Sequence, residues 1–411
     1  MLKTKKNNSR LDEYFTDCHS ELKANGNQST QDWQEFYNKS FYTSRNVETN
    51  ELINQLNPIL PEEIDCIADN VMIYSSLSGC LKEIVANGFM VTDKVAYDFV
   101  KKRYDIKLSA SGWVYVNDIY SGKDLESVIA DYKKSSSSYL VAIGGGRTLD
   151  YAKFISLKTG SKLLSIPSSL ATHVYASPKI HALDPIKKLG YEMTIDGNPA
   201  HLTLIDIDLL SYLHKTNQRL VFSGFGDIMA FINAQNDWKE SAKKGKERFS
   251  LFVDESIDLI IKMLTNIDVT QPLSNWISEY IFIQCLLCHI TDWVGSAPAS
   301  GAEHLFAKCI DDEVSDTALH GEVVALGVLI FCYIRNKDVE LTKFLMEKFK
   351  ISNVLPDLGV NKDAVLRSLV RSGSEGLKKG RYTILQDLDN SFEFFQSIIE
   401  KMIDEKLIRE S

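Results

Sequence analysis

The spacing of hydrophobic positions changes along the chain and divides it into two regions. Between about residue 85 and residue 206, short apolar runs alternate with segments that have helical spacing. Such alternation is typical of an α/β domain, in which a parallel sheet is connected by crossover helices. The sequence predicts strands at 88–93, 113–118, 139–143, 163–166 and 202–205, and helices at 121–134 and 148–158.

After about residue 212 the apolar positions recur every three or four residues, which is the spacing of one face of an α-helix. No further strand pattern occurs, so the sequence predicts an α/β domain over 56–213 and an all-helical domain over 214–411. The helices of the second domain are predicted at 221–243, 251–263, 276–294, 318–334, 339–349 and 392–407.

Residues 1–55 are polar and match no pattern of either domain. Their aromatic side chains favour a helical extension that packs on the body or on a second subunit; a partly disordered arm is the alternative. These aromatic residues are Tyr14, Phe15, Trp33, Phe36, Tyr37, Phe41 and Tyr42.

Composition adds constraints on partners and location. The 411 residues are 44% hydrophobic and 25% charged, which is typical of a globular protein, and the net charge of −9 argues against nucleic-acid binding. No run approaches the ~18 apolar residues of a membrane span, and the N-terminus lacks the apolar run of a signal peptide. With seven scattered cysteines expected to be reduced, the sequence predicts a cytoplasmic protein.

Three consecutive glycines, Gly144, Gly145 and Gly146, stand between a predicted strand and a predicted helix. Glycines there let the backbone approach a pyrophosphate, which the free N–H groups of the helix then face. The run lacks G-x-G-x-x-G spacing, so Rossmann binding in its usual form is not supported, and an ordinary turn is the alternative. Asp93 ends an earlier strand, where a carboxylate accepts bonds from ribose hydroxyls and favours NAD over NADP. A solvated loop aspartate is the alternative.

Three segments of the second region carry side chains that bind metals. Asp227 opens a helical segment, and His304 and His320 lie on two later segments, 16 residues apart. One carboxylate and two imidazoles leave a fourth position open, as catalytic zinc requires. The alternative for each histidine is a hydrogen-bonded residue of the core.

Other candidate ligands are weaker. Cys285-Leu-Leu-Cys288-His289 matches the attachment pattern of c-type haem, but it lies inside an apolar helical segment, so we expect buried thiols instead. Four histidines lie in polar or loop-like contexts and are predicted to be non-catalytic: His19, His181, His201 and His214.

Six segments together resemble the sn-glycerol-1-phosphate dehydrogenases, within the superfamily of glycerol dehydrogenases, iron-containing alcohol dehydrogenases and dehydroquinate synthases. The resemblance covers about 85–335 and implies a dehydroquinate synthase-like fold, with a nucleotide-binding α/β domain and a metal-binding helical domain. The matching segments are GGGRTLDYAK (144–153), SIPSSLATHVYASP (165–178), LIDIDLL (204–210), RLVFSGFGDIMAF (219–231), SGAEHLF (300–306) and ALHGEVVALG (318–327).

The resemblance also implies roles for individual residues. The triple-glycine turn and Asp150 would lie at the NAD(P) pyrophosphate, and Ser168 and Ser169 would lie near the nicotinamide and its ribose. Asp227, His304 and His320 fall on the family's three metal ligands and would be catalytic.

Two positions sort this chain among branches of the superfamily. Dehydroquinate synthases have a glutamate where this chain has Asp227. Iron alcohol dehydrogenases have a histidine four residues after the metal-binding aspartate, where this chain has Phe231. The three-ligand set therefore resembles the zinc-type glycerol and glycerol-1-phosphate enzymes, although another divalent metal is compatible. The family's Ser-His-Asp-Gly stretch is Ala171-Thr-His173-Val here. Four roles are then open for His173. It changes the shape of the substrate that fits the site, relays a proton, contacts a phosphate group or is a fourth metal ligand.

The activity that the resemblance implies is a metal-dependent, NAD- or NADP-linked dehydrogenase of a small polyol or polyol phosphate. A dehydroquinate synthase-like lyase that uses NAD transiently is one alternative, and a non-catalytic binding homologue is another. The small-molecule substrate is the expected partner, and a homo-oligomer is left open.

Overall fold

A computed structural model describes residues 47–68, 70–104, 112–120, 124–191, 194–314, 318–378 and 380–411. They form two compact units. The first contains the described residues up to Asn217 together with Leu273–Cys285, and the second contains Gln218–Pro272 and Leu286–Ser411. The sequence placed the division after residue 213, and it did not predict that part of a later helix groups with the first unit. Most of the predicted 1–55 extension, with all its aromatic residues, lies outside the described residues.

The first unit is built on a seven-stranded sheet with a separate two-stranded hairpin. The strands are Asp65–Ala68 (β1), Val71–Tyr74 (β2), Gly88–Thr92 (β3), Trp113–Tyr115 (β4), Tyr139–Gly144 (β5), Leu163–Pro167 (β6), Lys179–His181 (β7), Thr194–Asp196 (β8) and Leu202–Asp206 (β9). The order in the sheet is β1-β2-β9-β6-β5-β3-β4; six strands run parallel, and β1 pairs antiparallel with β2.

Every residue of β3, β5, β6 and β9 is buried, which is typical of a parallel sheet covered on both faces. These four strands coincide with predicted apolar runs, and the predicted α/β class is confirmed. The predicted strand 113–118 is wrong after Tyr115, where the chain turns into a helix. Val116 and Ile119 are both buried, and their spacing of three residues places them on one helical face.

Helices connect the strands of the first unit. They are Val47–Leu56 (α1), Leu81–Asn87 (α2), Lys94–Tyr104 (α3), Val116–Tyr120 (α4), Leu125–Lys134 (α5), Gly146–Thr159 (α6), Asp184–Lys187 (α7) and Ile207–Thr216 (α8). Asp206 shows how a strand passes into a helix: its carboxylate accepts the N–H groups of Asp208 and Leu209 and so caps α8.

The described residues of the second unit form helices joined by turns and loops, and their only β-type pairing is a single-residue bridge between Val354 and Arg409. Its helices are Gln218–Ile228 (α9), Ala230–Lys243 (α10), Leu251–Asn266 (α11), Ala302–Asp311 (α13), His320–Arg335 (α14), Val339–Lys348 (α15), Lys362–Lys378 (α16) and Phe392–Asp404 (α17), and Ile277–Val294 (α12) belongs to both units. Short 3₁₀ helices cover Leu273–Asn275, Ala297–Ala299, Leu355–Leu358 and Ile384–Gln386. Where the sequence predicts one helix over 221–243, the structure has two, with a break at Met229. None of the helices described is both long and apolar enough to cross a membrane.

Candidate metal and dinucleotide sites

Two glycines allow α9 and α14 to cross with their backbones in contact. A methyl group at Gly321 would overlap the carbonyl of Ser223 and lie 2.9 Å from the backbone nitrogen of Asp227. A methyl group at Gly226 would overlap the carbonyl of Gly321. Only residues without a Cβ permit this approach. Asp227 follows Gly226 and His320 precedes Gly321, so the close crossing of the two helices brings Asp227 and His320 to the same point.

Asp227, His304 and His320 form one cluster in the second unit. Nε2 of His304 lies 3.2 Å from Oδ1 of Asp227, and Nε2 of His320 lies 3.8 Å from the same oxygen. One ligand atom from each side chain lies within 4.8 Å of the other two. The side chains of Asp227 and His304 are 14% and 21% exposed, whereas that of His320 is 50% exposed, so the cluster opens to solvent beside His320. The structure therefore brings together the three residues that the sequence selected, and their binding of a metal stays a prediction.

A second carboxylate lies behind each imidazole. Nδ1 of His304 lies 3.0 Å from Oε1 of Glu303, and Nδ1 of His320 lies 3.4 Å from Oδ2 of Asp311. A carboxylate at Nδ1 holds the ring orientation and makes Nε2 the nitrogen that faces a cation. Neither carboxylate was predicted from the sequence. Glu303 carried a detectable signal, because an acidic residue directly preceded a predicted ligand on an otherwise apolar helix.

Glu303 is fully buried and is held by a polar network. The N–H of Gly301 donates to Oε1 at 2.6 Å, and the side-chain amide of Asn233 donates to Oε2, also at 2.6 Å. Asn233 also contacts Asp237, which forms an ion pair with Arg335. Since a buried carboxylate is stable only when its oxygens are hydrogen-bonded, the network keeps Glu303 charged and oriented.

The pKa shifts agree with this arrangement. Burial alone would lower the pKa of His304, but its bonds to Asp227 and Glu303 outweigh burial and raise that pKa to about 9. Burial alone would raise the pKa of Glu303, but the imidazole of His304, the Asn233 amide and the Gly301 N–H hold that pKa below its usual value. Without a cation, the cluster therefore holds a protonated imidazole between two carboxylates.

The triple-glycine turn lies at the carboxyl end of β5, at the start of α6. A methyl group at Gly144 would lie 2.6 Å from Oδ2 of Asp93, and one at Gly146 would lie 2.9 Å from Oγ1 of Thr172. A methyl group at Gly145 would meet no atom within 4 Å. The outer glycines are therefore required by packing, while the middle one borders open space of the kind that a phosphate group requires.

Asp93 follows β3 and lies against the glycine turn. Its carboxylate accepts bonds from the N–H of Ala96 at 2.9 Å, the hydroxyl of Thr148 at 3.1 Å and the N–H of Gly145 at 3.4 Å. The side chain thus caps α3 and ties it to the turn. Its predicted contact with a ribose stays a prediction. The carboxylate that would make this contact already accepts bonds from three protein donors.

Asp150 lies inside the first unit, 4% exposed, and Oδ1 is 3.2 Å from Nζ of Lys153. The ammonium group of Lys153 also donates to the carbonyls of Val174 and Ser177 at 3.2 Å and to that of Lys179 at 2.5 Å. This geometry favours a role for Asp150 in anchoring the chain after β6. Its predicted position at a pyrophosphate, which the resemblance implied, stays a prediction.

The segment after β6 carries Ser168, Ser169 and His173. The N–H of Ser168 donates to the carbonyl of Gly144 at 2.9 Å, which places this serine beside the glycine turn. Ser169 and His173 are half-buried. The amide of Gln284 fixes the middle of the segment by donating to the carbonyl of Leu170 at 2.9 Å. The predicted roles of the two serines and of His173 stay predictions.

The Cys285-x-x-Cys288-His289 pattern lies within α12, and both cysteines are buried. Burial raises the pKa of the Cys285 thiol to about 12 and lowers the pKa of His289 to about 4. Neutral buried thiols are poor metal ligands, which agrees with the packing role that the sequence predicted.

Comparison with known proteins indicates which family this chain resembles. The family model of the iron-containing alcohol dehydrogenases matches residues 73–208. Glycerol-1-phosphate dehydrogenase (NAD(P)+) of Archaeoglobus fulgidus is 27% identical over 361 residues, which are 82% of this chain and 95% of the relative. The enzyme of the same name from Saccharolobus solfataricus is 26% identical over 353 residues, or 83% and 95% of the two chains.

Solved structures share the fold. The glycerol dehydrogenase of Schizosaccharomyces pombe superposes with a TM-score of 0.57 at 16% identity, covering 79% of this chain and 87% of that chain. A probable glycerol dehydrogenase of Sinorhizobium meliloti superposes with a TM-score of 0.56 at 16% identity, covering 80% and 94%. The family model and these relatives support an assignment to the superfamily of the iron-containing alcohol dehydrogenases and glycerol dehydrogenases, which the six matching segments implied.

Proposed function

We propose that this protein is a metal-dependent dehydrogenase that interconverts a small polyol, or a polyol phosphate of the glycerol-1-phosphate type, with the corresponding ketone. The observation that carries the proposal is the convergence of Asp227, His304 and His320 within 4.8 Å. The similarity to glycerol-1-phosphate dehydrogenases over most of the chain supports the substrate class.

The chain is an NAD(P)-linked oxidoreductase acting on CH–OH groups. In this reaction the alcohol carbon loses a hydride, which NAD(P)+ accepts, and the alcohol oxygen loses a proton to solvent. The reverse reaction reduces the ketone and consumes NAD(P)H and one proton. The space beside Gly145, at the N-terminus of α6, is the position that we assign to the cofactor's phosphates.

The donor set fits a catalytic divalent cation. One carboxylate and two imidazoles are ligand types that zinc accepts, and three protein ligands leave a position for substrate. Such a cation polarises the substrate oxygen and lowers the pKa of a bound hydroxyl. The residues supply the rest: Glu303 and Asp311 orient the imidazoles, and the solvent-exposed side at His320 admits the substrate.

The proposal is tested by screening small ketones and their phosphates for consumption of NADH or NADPH, with and without added zinc. We expect consumption of dihydroxyacetone or its phosphate that ceases after chelation and returns with metal. In the direction of oxidation, one NAD(P)H should form per alcohol consumed, because a lyase that recycles its cofactor would accumulate none. Turnover that is indifferent to chelation would reject the metal dependence.

Replacing Glu303 with glutamine should weaken zinc binding about 10- to 100-fold, because the neutral amide no longer holds and polarises the His304 ring. Zinc affinity is measured by competition with a chromophoric chelator, which requires no activity. Glu347→Gln is the matched control, since Glu347 is exposed on α15 of the same unit. Equal zinc affinity of Glu303→Gln and the control would contradict the orienting role.

Zinc affinity should also rise with pH. The pKa of His304 is raised to about 9 in the metal-free cluster, so zinc has to displace a proton at any lower pH. The dissociation constant for zinc should therefore fall by about tenfold per unit between pH 7 and pH 9 and then level off. Chelator competition across this range measures the slope, and a constant affinity would mean that the pKa of His304 is not raised in the metal-free cluster.

A further inference from the structure

An ion pair joins the two helices that carry Asp227 and His320. Arg219 lies in the first turn of α9, and Glu322 lies in the first turn of α14. Nε of Arg219 donates to the two carboxylate oxygens of Glu322 at 2.8 and 3.0 Å, and Nη2 donates to Oε2 at 2.7 Å. Two nitrogens of a planar guanidinium that face one carboxylate fix the orientation of the partners as well as their distance.

Burial makes this ion pair persistent. The side chain of Glu322 is 5% exposed, and that of Arg219 is 43% exposed. Nη2 of Arg219 also donates to the carbonyl of Asp357 at 2.9 Å, which ties the guanidinium to a 3₁₀ helix of the same unit. Because a buried carboxylate without its partner is strongly destabilising, Glu322 holds Arg219 in this position.

The spacing along α9 places the ion pair on the same helical face as Asp227. Arg219, Ser223 and Asp227 follow one another at intervals of four residues within this helix, so they lie in one row. Each of them meets one of three consecutive residues of α14. The contacts, in order along α9, are Arg219 with Glu322, the carbonyl of Ser223 with Gly321, and Asp227 with His320.

The middle contact lies between the other two. There the backbones of α9 and α14 touch, since a methyl group at Gly321 would lie 1.8 Å from the carbonyl oxygen of Ser223. Four helical residues correspond to a rise of roughly 6 Å, so Arg219 and Asp227 lie at similar distances on either side of Ser223. A rotation of α14 about this contact that separates His320 from Asp227 also displaces Glu322 from Arg219. The ion pair therefore resists the rotation that would open the metal-ligand cluster.

We propose that the Arg219–Glu322 ion pair positions the metal site, because it fixes the crossing of α9 and α14 at which Asp227 and His320 can bind the same cation. Both residues act through the backbones of their helices, so they are positioning residues and not catalytic residues. The proposal rests on the proposed function and extends it to two residues on which the affinity of the site depends.

The test measures the zinc affinity of the full chain by chelator competition, at a temperature where each variant is folded. In Arg219→Gln the dissociation constant for zinc should rise about 10- to 100-fold, the range typical of residues that orient metal ligands from outside the coordination shell. Arg219→Lys keeps the charge but donates from a single nitrogen, so it should have an intermediate affinity.

A control variant separates positioning from general stabilisation. Ile399→Val removes one methyl group from a buried residue of α17, a helix that packs mainly on α16. It should lower the melting temperature, because it leaves a small cavity, and it should keep the zinc affinity of the wild-type protein.

Two further measurements distinguish positioning from a loss of stability alone. Cobalt(II) bound in place of zinc has a visible absorption spectrum that depends on its coordination geometry, and this spectrum should change in Arg219→Gln but not in Ile399→Val. Glu322→Gln removes the charge with little change of shape. Since the two residues act as a pair, the double variant should lose no more zinc affinity than the more affected of the two single variants.

Unchanged zinc affinity and an unchanged cobalt spectrum in Arg219→Gln would overturn the proposal, whatever its melting temperature. If Arg219→Gln does not fold, the same result in Arg219→Lys would overturn it equally. Additive losses in the two single variants would show that Arg219 and Glu322 act separately, which also contradicts the proposal. A wild-type protein that binds neither zinc nor cobalt would instead reject the metal site of the proposed function.

Discussion

His304→Ala is expected to abolish zinc binding and turnover together. Nε2 of His304 lies 3.2 Å from Oδ1 of Asp227, and the side chain of His304 is less exposed than that of His320, the other predicted histidine ligand. Its loss leaves one carboxylate and one half-exposed imidazole, so zinc affinity should fall on the order of a thousandfold. The value of kcat/KM should fall by a similar factor, because polarisation of the substrate oxygen is worth several kcal/mol. Metal content after dialysis and NAD(P)H consumption measure the two effects.

The alanine variant also leaves Glu303 buried without its cationic partner, which by itself destabilises the fold. Asp227→Asn avoids this problem, because it is nearly isosteric and removes only the charge. It should lose zinc and activity with little change in melting temperature. His181→Ala, at an exposed position of β7, is the control and should keep both. Normal turnover of His304→Ala or Asp227→Asn without bound metal would reject the assigned ligands.

Among substitutions that add a single methyl group, Gly321→Ala is expected to lower the stability of the fold most. The new Cβ would overlap the carbonyl of Ser223 and approach the backbone nitrogen of Asp227 to 2.9 Å. Backbone atoms of two packed helices cannot yield as a flexible side chain does, so α9 and α14 must separate. We expect a loss of about 3 kcal/mol, and a melting temperature lower by roughly 5–10 °C.

Separation of the two helices should also move His320 away from Asp227, so Gly321→Ala should bind zinc more weakly than its loss of stability alone explains. Calorimetry measures the melting temperature, and chelator competition below the transition measures zinc affinity. Gly79→Ala is the matched control, because a methyl group there meets no atom within 4 Å. An unchanged melting temperature and an unchanged zinc affinity in Gly321→Ala would show that the packing of α9 on α14 does not depend on this close approach.

Local patterns were sufficient to predict much of the α/β unit. Largely apolar runs of four to six residues locate β3, β5, β6 and β9, since a strand buried on both faces has few positions for polar side chains. The glycine turn was recognisable because three consecutive glycines stand between a predicted strand and a predicted helix, where they allow a close approach of the backbone. The chemical types of the candidate metal ligands were also evident from single residues.

Long-range packing determined the rest. Asp227 and His304 are 77 residues apart in sequence, and no local pattern specifies that their side chains meet at 3.2 Å. The strand predicted at 113–118 ended early because burial of Val116 and Ile119 on one side favoured a helical turn. Asp150 is buried beside Lys153, and no local pattern predicted this pair as an anchor. Residue types and their periodicity are encoded locally, whereas distances between side chains depend on how the helices and strands pack, which only the folded chain establishes.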